Sequence, residues 1–169
     1  KVVDPVPALV PLLSPATWVH ALSGIAIDGE LKIGKQRRIR PVLFTHRGLS
    51  GPAAMDLSEQ VTRGQQREAR LDFLPDLSWE ALRDRIVAGA GASGAPRLAS
   101  LLPLPRRVVE TIAAQSGLSD ANPRLNALSK SDRHRLVENI KALPIPISGS
   151  QGFAKAEVTS GGLALSEVN

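Results

Sequence analysis

The chain has 169 residues, 43% of them hydrophobic and 22% charged, a balance that excludes wholesale disorder and allows one ordinary core or two small subdomains. A net charge of +5 favours anions such as phosphates, nucleotides or RNA, while the absence of cysteine excludes disulfides, a thiolate nucleophile and cysteine-ligated zinc. Aromatic residues are few, namely Trp18, Trp79, Phe44, Phe73 and Phe153, so the core must be aliphatic and stacking platforms for single-stranded nucleic acid are scarce. His20, His46 and His134 are too scattered for metal-ligand spacing, and no apolar run is long enough to span a membrane. No signal-peptide pattern is present, so the expected location is the cytoplasm. The chain opens at Lys1 without methionine and stops at Asn169 with no sign of a natural end, which reads as an excised domain.

In chain order, Ala8 to Leu13 is an apolar run whose Pro11 predicts an edge strand ended by Ser14-Pro15. A helical turn is expected from Ala16 to Leu22. Ile25, Ile27, Leu31 and Ile33 flank Asp28-Gly29, which suits either a two-residue hairpin turn or one bent strand with the same alternation. Ile39 to Thr45 is a further strand, with Lys35, Arg37, Arg38, Arg40 and Arg47 forming a basic cluster that is either a solvated face or an anion-binding surface. Pro52 to Val61 is expected to be helical, with Gly64 closing it, and Ala69, Leu71 and Phe73 alternate as in a strand.

From Asp76 the apolar period becomes helical. Ser78 is placed to cap a helix presenting Trp79, Leu82 and Ile86, and Ala88 to Ala95 reads as a flexible Gly/Ala loop. Short helices follow at Arg97 to Leu102 and Arg106 to Gln115, broken by Pro103-Leu104-Pro105. Ser129-Lys130-Ser131-Asp132 resembles a capping box opening a helix with Leu136 and Ile140 on one face. Pro144-Ile145-Pro146-Ile147 must be extended, and Phe153 to Thr159 returns to a strand pattern. The helical block thus reads as an insertion, residues 76–143, into a β unit of residues 1–75 plus 144–169.

Two stretches carry candidate chemistry. In Phe44-Thr45-His46-Arg47-Gly48-Leu49-Ser50-Gly51-Pro52-Ala53 a strand runs through a glycine turn into a helix start. One reading is an anion site at the free N–H groups of that helix start, to which Arg47 would add a forked donor for phosphate or carboxylate, with Ser50 an N-cap or a ligand contact and His46 a donor of a proton or a hydrogen bond. The same residues equally suit a tight turn with local packing. No Gly-x-Ser-x-Gly elbow or acidic partner for His46 supports a hydrolase. In Val158-Thr159-Ser160-Gly161-Gly162, bare backbone next to a hydroxyl suits a flat ligand, or simply a two-glycine turn. No Gly-x-Gly-x-x-Gly follows a strand, so the chain has no dinucleotide-binding fingerprint of its own.

These two stretches, with Asp72-Phe73-Leu74-Pro75-Asp76-Leu77, Lys141-Ala142-Leu143-Pro144-Ile145-Pro146 and Gly152 to Gly162, resemble in the same order the FAD-dependent flavoproteins labelled aminoacetone-oxidase-like or NAD(P)/FAD-dependent oxidoreductases. The resemblance implies an α+β fold, a small translation-factor-like β-barrel with an inserted α-helical subdomain. It further implies that this domain interrupts a two-part FAD-binding lobe of the same parent chain, with NAD(P)H as a candidate reductant. By similarity to the Thr-x-Gly-Gly of fumarate-reductase-type relatives, Thr159, Gly161 and Gly162 would lie near the flavin ring. Those relatives carry a histidine where this chain has Glu157, so their substrate contacts do not transfer. His46, Arg47 and Ser50, matching the family's Thr-His-x-Gly-x-Ser-Gly-Pro pattern, are the residues expected to face the substrate cleft. The fragment alone is expected to hold no cofactor. RNA binding and a purely structural or dimerising role are the alternative functions.

Overall fold

A computed structural model of the chain describes residues 2–164. In chain order its elements are β1 (Val2–Ala8), β2 (Leu12–Leu13), α1 (Thr17–Ala21), β3 (Ala26–Ile33), β4 (Gln36–Thr45), β5 (Gly48–Ser50), α2 (Gly51–Asp56), α3 (Glu59–Thr62), β6 (Glu68–Asp72), α4 (Trp79–Gly91), α5 (Leu98–Leu101), α6 (Arg106–Gln115), α7 (Lys130–Ala142), β7 (Leu143–Pro146), β8 (Gly149–Ser150) and β9 (Val158–Leu163). Short 3-10 turns lie at Leu125–Ala127 and Phe153–Lys155. Two compact units result, one from the residues up to Arg70 together with those from Ile145 onward, the other from Leu71–Pro144.

The first unit is built on a seven-stranded sheet in the order β7-β6-β3-β4-β5-β2-β8, with β1 and β9 paired as a separate antiparallel ribbon. Its spine is the β3–β4 ladder, in register from Ala26↔Leu43 to Ile33↔Gln36. Along β3 the pleat turns Ile27, Leu31 and Ile33 inward, where they meet Val42, Phe44 and Leu49 and the helical residues Ala53, Ala54, Leu57 and Val61, all buried. Burying each large aliphatic side chain contributes roughly 1.5–3 kcal/mol, which lets short helices such as α2 and α3 persist on tertiary packing.

The structure departs from the sequence expectations at identifiable points. The sheet does not close into a barrel among the described residues; it ends at β7 and β8. In β7 the prolines at 144 and 146 remove the N–H groups that would point away from β6, so that side of the strand cannot donate to a further neighbour. Asp28-Gly29 is not a turn, because β3 passes straight through it and the reversal comes at Gly34-Lys35. The apolar run at 8–13 is split by Leu9 at φ 47° into the end of β1 and the two-residue β2. The helix expected over 52–61 breaks at Leu57-Ser58 into α2 and α3. Phe153–Lys155 is a 3-10 turn, and β9 starts at Val158 and extends through both glycines.

The second unit is helical. Ser78 Oγ accepts from Ala81 N at 3.1 Å to start α4, and Ser129 and Asp132 form a reciprocal capping box at the start of α7. Leu82, Ile86, Leu98, Val108, Val109, Ile112, Leu125, Leu136, Val137 and Ile140 make its core. The Gly/Ala stretch is not a loop at its beginning, since α4 continues to Gly91. A Cβ at Gly89 would come within 2.5 Å of Leu125 Cδ1, so small residues there admit a neighbouring side chain to the helix surface.

Candidate functional site

The stretch from Phe44 to Ala53 folds as strand, turn, strand, helix rather than strand, turn, helix. Thr45 pairs with Gly48 across β4 and β5, leaving His46-Arg47 as a two-residue hairpin turn. Thr45 Oγ1 stiffens it, accepting from Arg47 N (3.3 Å) and Gly48 N (3.1 Å). From outside the hairpin, Ser14 N donates to the Arg47 carbonyl at 3.0 Å. Gly48 packs so closely on β2 that a Cβ there would stand 2.2 Å from the Leu12 carbonyl oxygen. The turn is therefore fixed while the side chains of His46 and Arg47 are exposed. Ser50 does not cap α2; its hydroxyl faces Met55 Sδ at 3.7 Å, and α2 has only six residues. Of the two readings of this stretch, the tight turn describes the His46-Arg47 hairpin, while Ser50 caps nothing and the helix start is short.

His46, Arg47 and Ser50 line one cleft of about 540 Å³, with Pro11, Gly24 and Phe44 and, from a hundred residues further on, Gln151 and Lys155. The segment carrying these last two is tied to the sheet by Gln151 N donating to the Pro11 carbonyl at 2.9 Å. No aspartate or glutamate lines this cleft. The residues that sequence reasoning gave no role are Gln151 and Lys155. Lys155 is the lone cation between Pro144 and Ala164, but nothing in the sequence places it beside His46 and Arg47.

Thr159, Gly161 and Gly162 are elsewhere, on β9 of the ribbon. The pairing runs from Val2↔Leu163 to Ala8↔Val158, with an irregularity between Val3 and Val6. Gly161, at φ 119°, sits against that irregularity, where a Cβ would fall 2.6 Å from the Asp4 carbonyl oxygen. Its bareness is thus explained within the domain. A Cβ on Gly162 would meet nothing within 4 Å, and Thr159 is exposed, so the two offer an open backbone position and a hydroxyl on which a flat ring could rest. The ribbon is held to α3 by a clasp. Arg63 Nη2 donates to the carbonyls of Asp4 (3.3 Å) and Ser160 (3.2 Å), while the Glu59 carboxylate accepts from Ser160 Oγ (2.6 Å) and Arg63 Nε (3.0 Å). The Ser160 hydrogen bond first, and Arg63 second, hold the Glu59 carboxyl below its ordinary range.

The basic cluster of β4 has a different character. Arg37 pairs with Glu30 at 3.1 Å and Arg40 with Asp56 at 2.7 Å, with Arg38 4.0 Å from the same Asp56. Its charge is largely answered within the domain. Among the described residues no cluster of potential metal ligands occurs, and no helix is long and apolar enough to cross a membrane.

Similar proteins run the length of this architecture. A ribosomal RNA dihydrouridine synthase of Escherichia coli is 29% identical over 153 residues, covering 89% of this chain and 37% of that protein. A ribosomal RNA dihydrouridine synthase of Haemophilus influenzae is 31% identical over 168 residues, covering 96% of this chain and 40% of that protein. The chain thus spans about two fifths of the length of these curated relatives. The family model for the HI0933-like protein barrel and H2TH domain matches residues 6–158, from within β1 to the first residue of β9. That span reaches into both units and takes in three of the four stretches on which the flavoprotein resemblance stood, ending inside the fourth before Thr159, and the chain belongs to the HI0933-like family.

Proposed function

We propose that this chain is the substrate-side domain of an FAD-dependent oxidoreductase and that the substrate it engages is ribosomal RNA. The observation that carries the reading is the extent of the likeness to two ribosomal RNA dihydrouridine synthases, which covers 89% and 96% of this chain. When bound to the parent, the flavin would supply a hydride to a ring carbon of uridine, a proton completing the reduction of the double bond, with NAD(P)H restoring the reduced flavin. Thr159 and Gly162 are the residues of this chain that fit beside such a ring. The ribbon also leaves Val2, Val3, Val158 and Leu163 exposed, apolar surface suited to the FAD-binding lobes of the same parent chain.

No Gly-x-Gly-x-x-Gly in the chain follows a strand, so titration with FAD is expected to leave the flavin absorbance and fluorescence unchanged. A tight stoichiometric complex would overturn the substrate-side assignment. In the full parent enzyme with FAD and NADPH, unmodified ribosomal RNA should gain two hydrogens at a uridine, read by mass spectrometry of nucleosides. Reduction of a small molecule with no change in RNA would remove the RNA part. A domain serving only to stabilise or dimerise the parent would show neither RNA binding nor loss of RNA reduction on substitution in the cleft.

A further inference from the structure

The arginines most conspicuous in the sequence are not the ones best placed to meet a polyanion. Arg37 and Arg40 each face a carboxylate within 3.1 Å, so an approaching phosphate must compete with Glu30 and Asp56. Arg63, Arg97, Arg106 and Arg135 are likewise paired with acids. Arg47 and Lys155 differ. Neither side chain makes a hydrogen bond or ion pair among the described residues, and both line one cleft that contains no acid. A concave site with like charges and no counter-charge focuses positive potential and attracts an anion. The surroundings suit a phosphodiester in particular. Gln151 adds an amide, Ser50 a half-buried hydroxyl and His46 a ring nitrogen, giving donors in the same lining as the two cations, to which Phe44 and Leu43 also belong. The backbone on both sides is anchored, at Arg47 by Ser14 and at Gln151 by Pro11, so the two charges are presented from fixed segments.

We propose that the cleft between the His46-Arg47 turn and the Gln151–Lys155 segment binds a backbone phosphate of the RNA strand, through Arg47 and Lys155. The proposal rests on the reading that the substrate is RNA, and it moves the main electrostatic contact from the β4 arginines to a site assembled from segments about a hundred residues apart in sequence.

The test is the salt dependence of binding between the full 169-residue chain and a fluorescein-labelled ribosomal RNA hairpin, read by anisotropy. Replacing Arg47→Ala or Lys155→Ala should lower the slope of log K against log salt by about 1 each, and the double variant by about 2, with affinity falling roughly tenfold or more. Arg47→Lys and Lys155→Arg should restore the slope, and thermal melts should show that all variants fold. Arg37→Ala with Arg40→Ala should change the slope less than either single cleft variant. If the double cleft variant binds with the unaltered slope, the cleft assignment falls while the RNA reading stands. If the unaltered chain fails to bind RNA at low salt, both fall. If NADP+ binds the unaltered chain, is lost with the double variant, and RNA binding is unaffected, the cleft serves the reductant and the proposal is overturned.

Discussion

A Cβ on Gly48 would lie 2.2 Å from the Leu12 carbonyl oxygen and 2.7 Å from Ser14 N, at a φ of 151° that other residues rarely adopt. Both neighbours are backbone, so no rotamer change relieves the clash. Gly48→Ala should therefore destabilise the fold by roughly 2–4 kcal/mol and loosen the turn that presents His46 and Arg47. Urea unfolding with an unchanged m-value measures this, and a loss below about 0.5 kcal/mol would mean that β2 and β5 can part freely. Glu59 offers a different single-residue test. Its carboxyl is held below its ordinary range in the folded state, so the folded state binds protons less readily than the unfolded one. The clasp's contribution is fully present above the unfolded value near 4.5 and is lost as pH falls through the lower folded value. Because the side chain is 42% exposed, the effect should stay below about 1 kcal/mol. Thermal midpoints of the unaltered chain and Glu59→Gln should differ at about pH 6 and converge towards about pH 3. A constant gap would exclude the carboxylate as the cause.

At the scale of elements, α4 sets two effects of one substitution against each other. Alanine is favoured over glycine inside a helix by up to about 1 kcal/mol. At Gly89 the new methyl would stand 2.5 Å from Cδ1 of Leu125, which is fully buried and cannot swing into solvent. Overpacking costs roughly 1–3 kcal/mol, so Gly89→Ala should be net destabilising by about 1 kcal/mol. Gly91 meets nothing within 4 Å, so Gly91→Ala should be stabilising by a few tenths of a kcal/mol. Opposite signs in chemical denaturation are the expected result. This pair also shows why composition misreads residues 88–91 as the start of a loop that in fact begins at Ala92, since smallness serves packing as readily as flexibility. Helix starts were legible because Ser78 and Ser129 are local devices, complete within four residues. Asp28-Gly29 was not, because the turn was decided by the whole β3–β4 ladder, which puts Gly29 opposite Arg40. The open sheet was partly written in Pro144 and Pro146, whose missing donors mark an edge. In the candidate site, His46, Arg47 and Ser50 could be grouped because they are neighbours in sequence. Lys155 could not, because only the return of β8 beside β2 brings its segment to the cleft.

For the molecule as a whole, the helical unit must leave a β unit and return to it, which requires its two ends to lie together. Within Leu71–Pro144 they do. Phe73 N donates to the Ile140 carbonyl at 2.9 Å, and the Lys141 ammonium meets the Asp72 carboxylate at 2.6 Å while also donating to the carbonyls of Leu74 and Leu77. Ends held this way are what an inserted domain needs, and they remove most of the fraying that short excised segments suffer. The polypeptide 71–144 expressed alone should therefore fold cooperatively, with the modest stability of a few kcal/mol typical of so small a core. Its far-ultraviolet circular dichroism should be helical and its melt sigmoidal; a gradual, non-cooperative melt would show that the unit depends on the rest of the chain. The Lys141–Asp72 pair gives the sharper version. The side chains retain only 14% and 16% exposure, so Lys141→Met would remove the cation beside a largely buried carboxylate, leaving it the Leu74 N–H at 2.9 Å among its partners, and cost about 2–4 kcal/mol. Pairing it with Asp72→Asn should recover much of that loss, because the neutral amide no longer needs a cation. In the isolated unit, the single variant is then expected to abolish the cooperative melt and the double variant to restore it. Equal losses in the two would mean that the lysine acts through the Leu74 and Leu77 carbonyls rather than through charge.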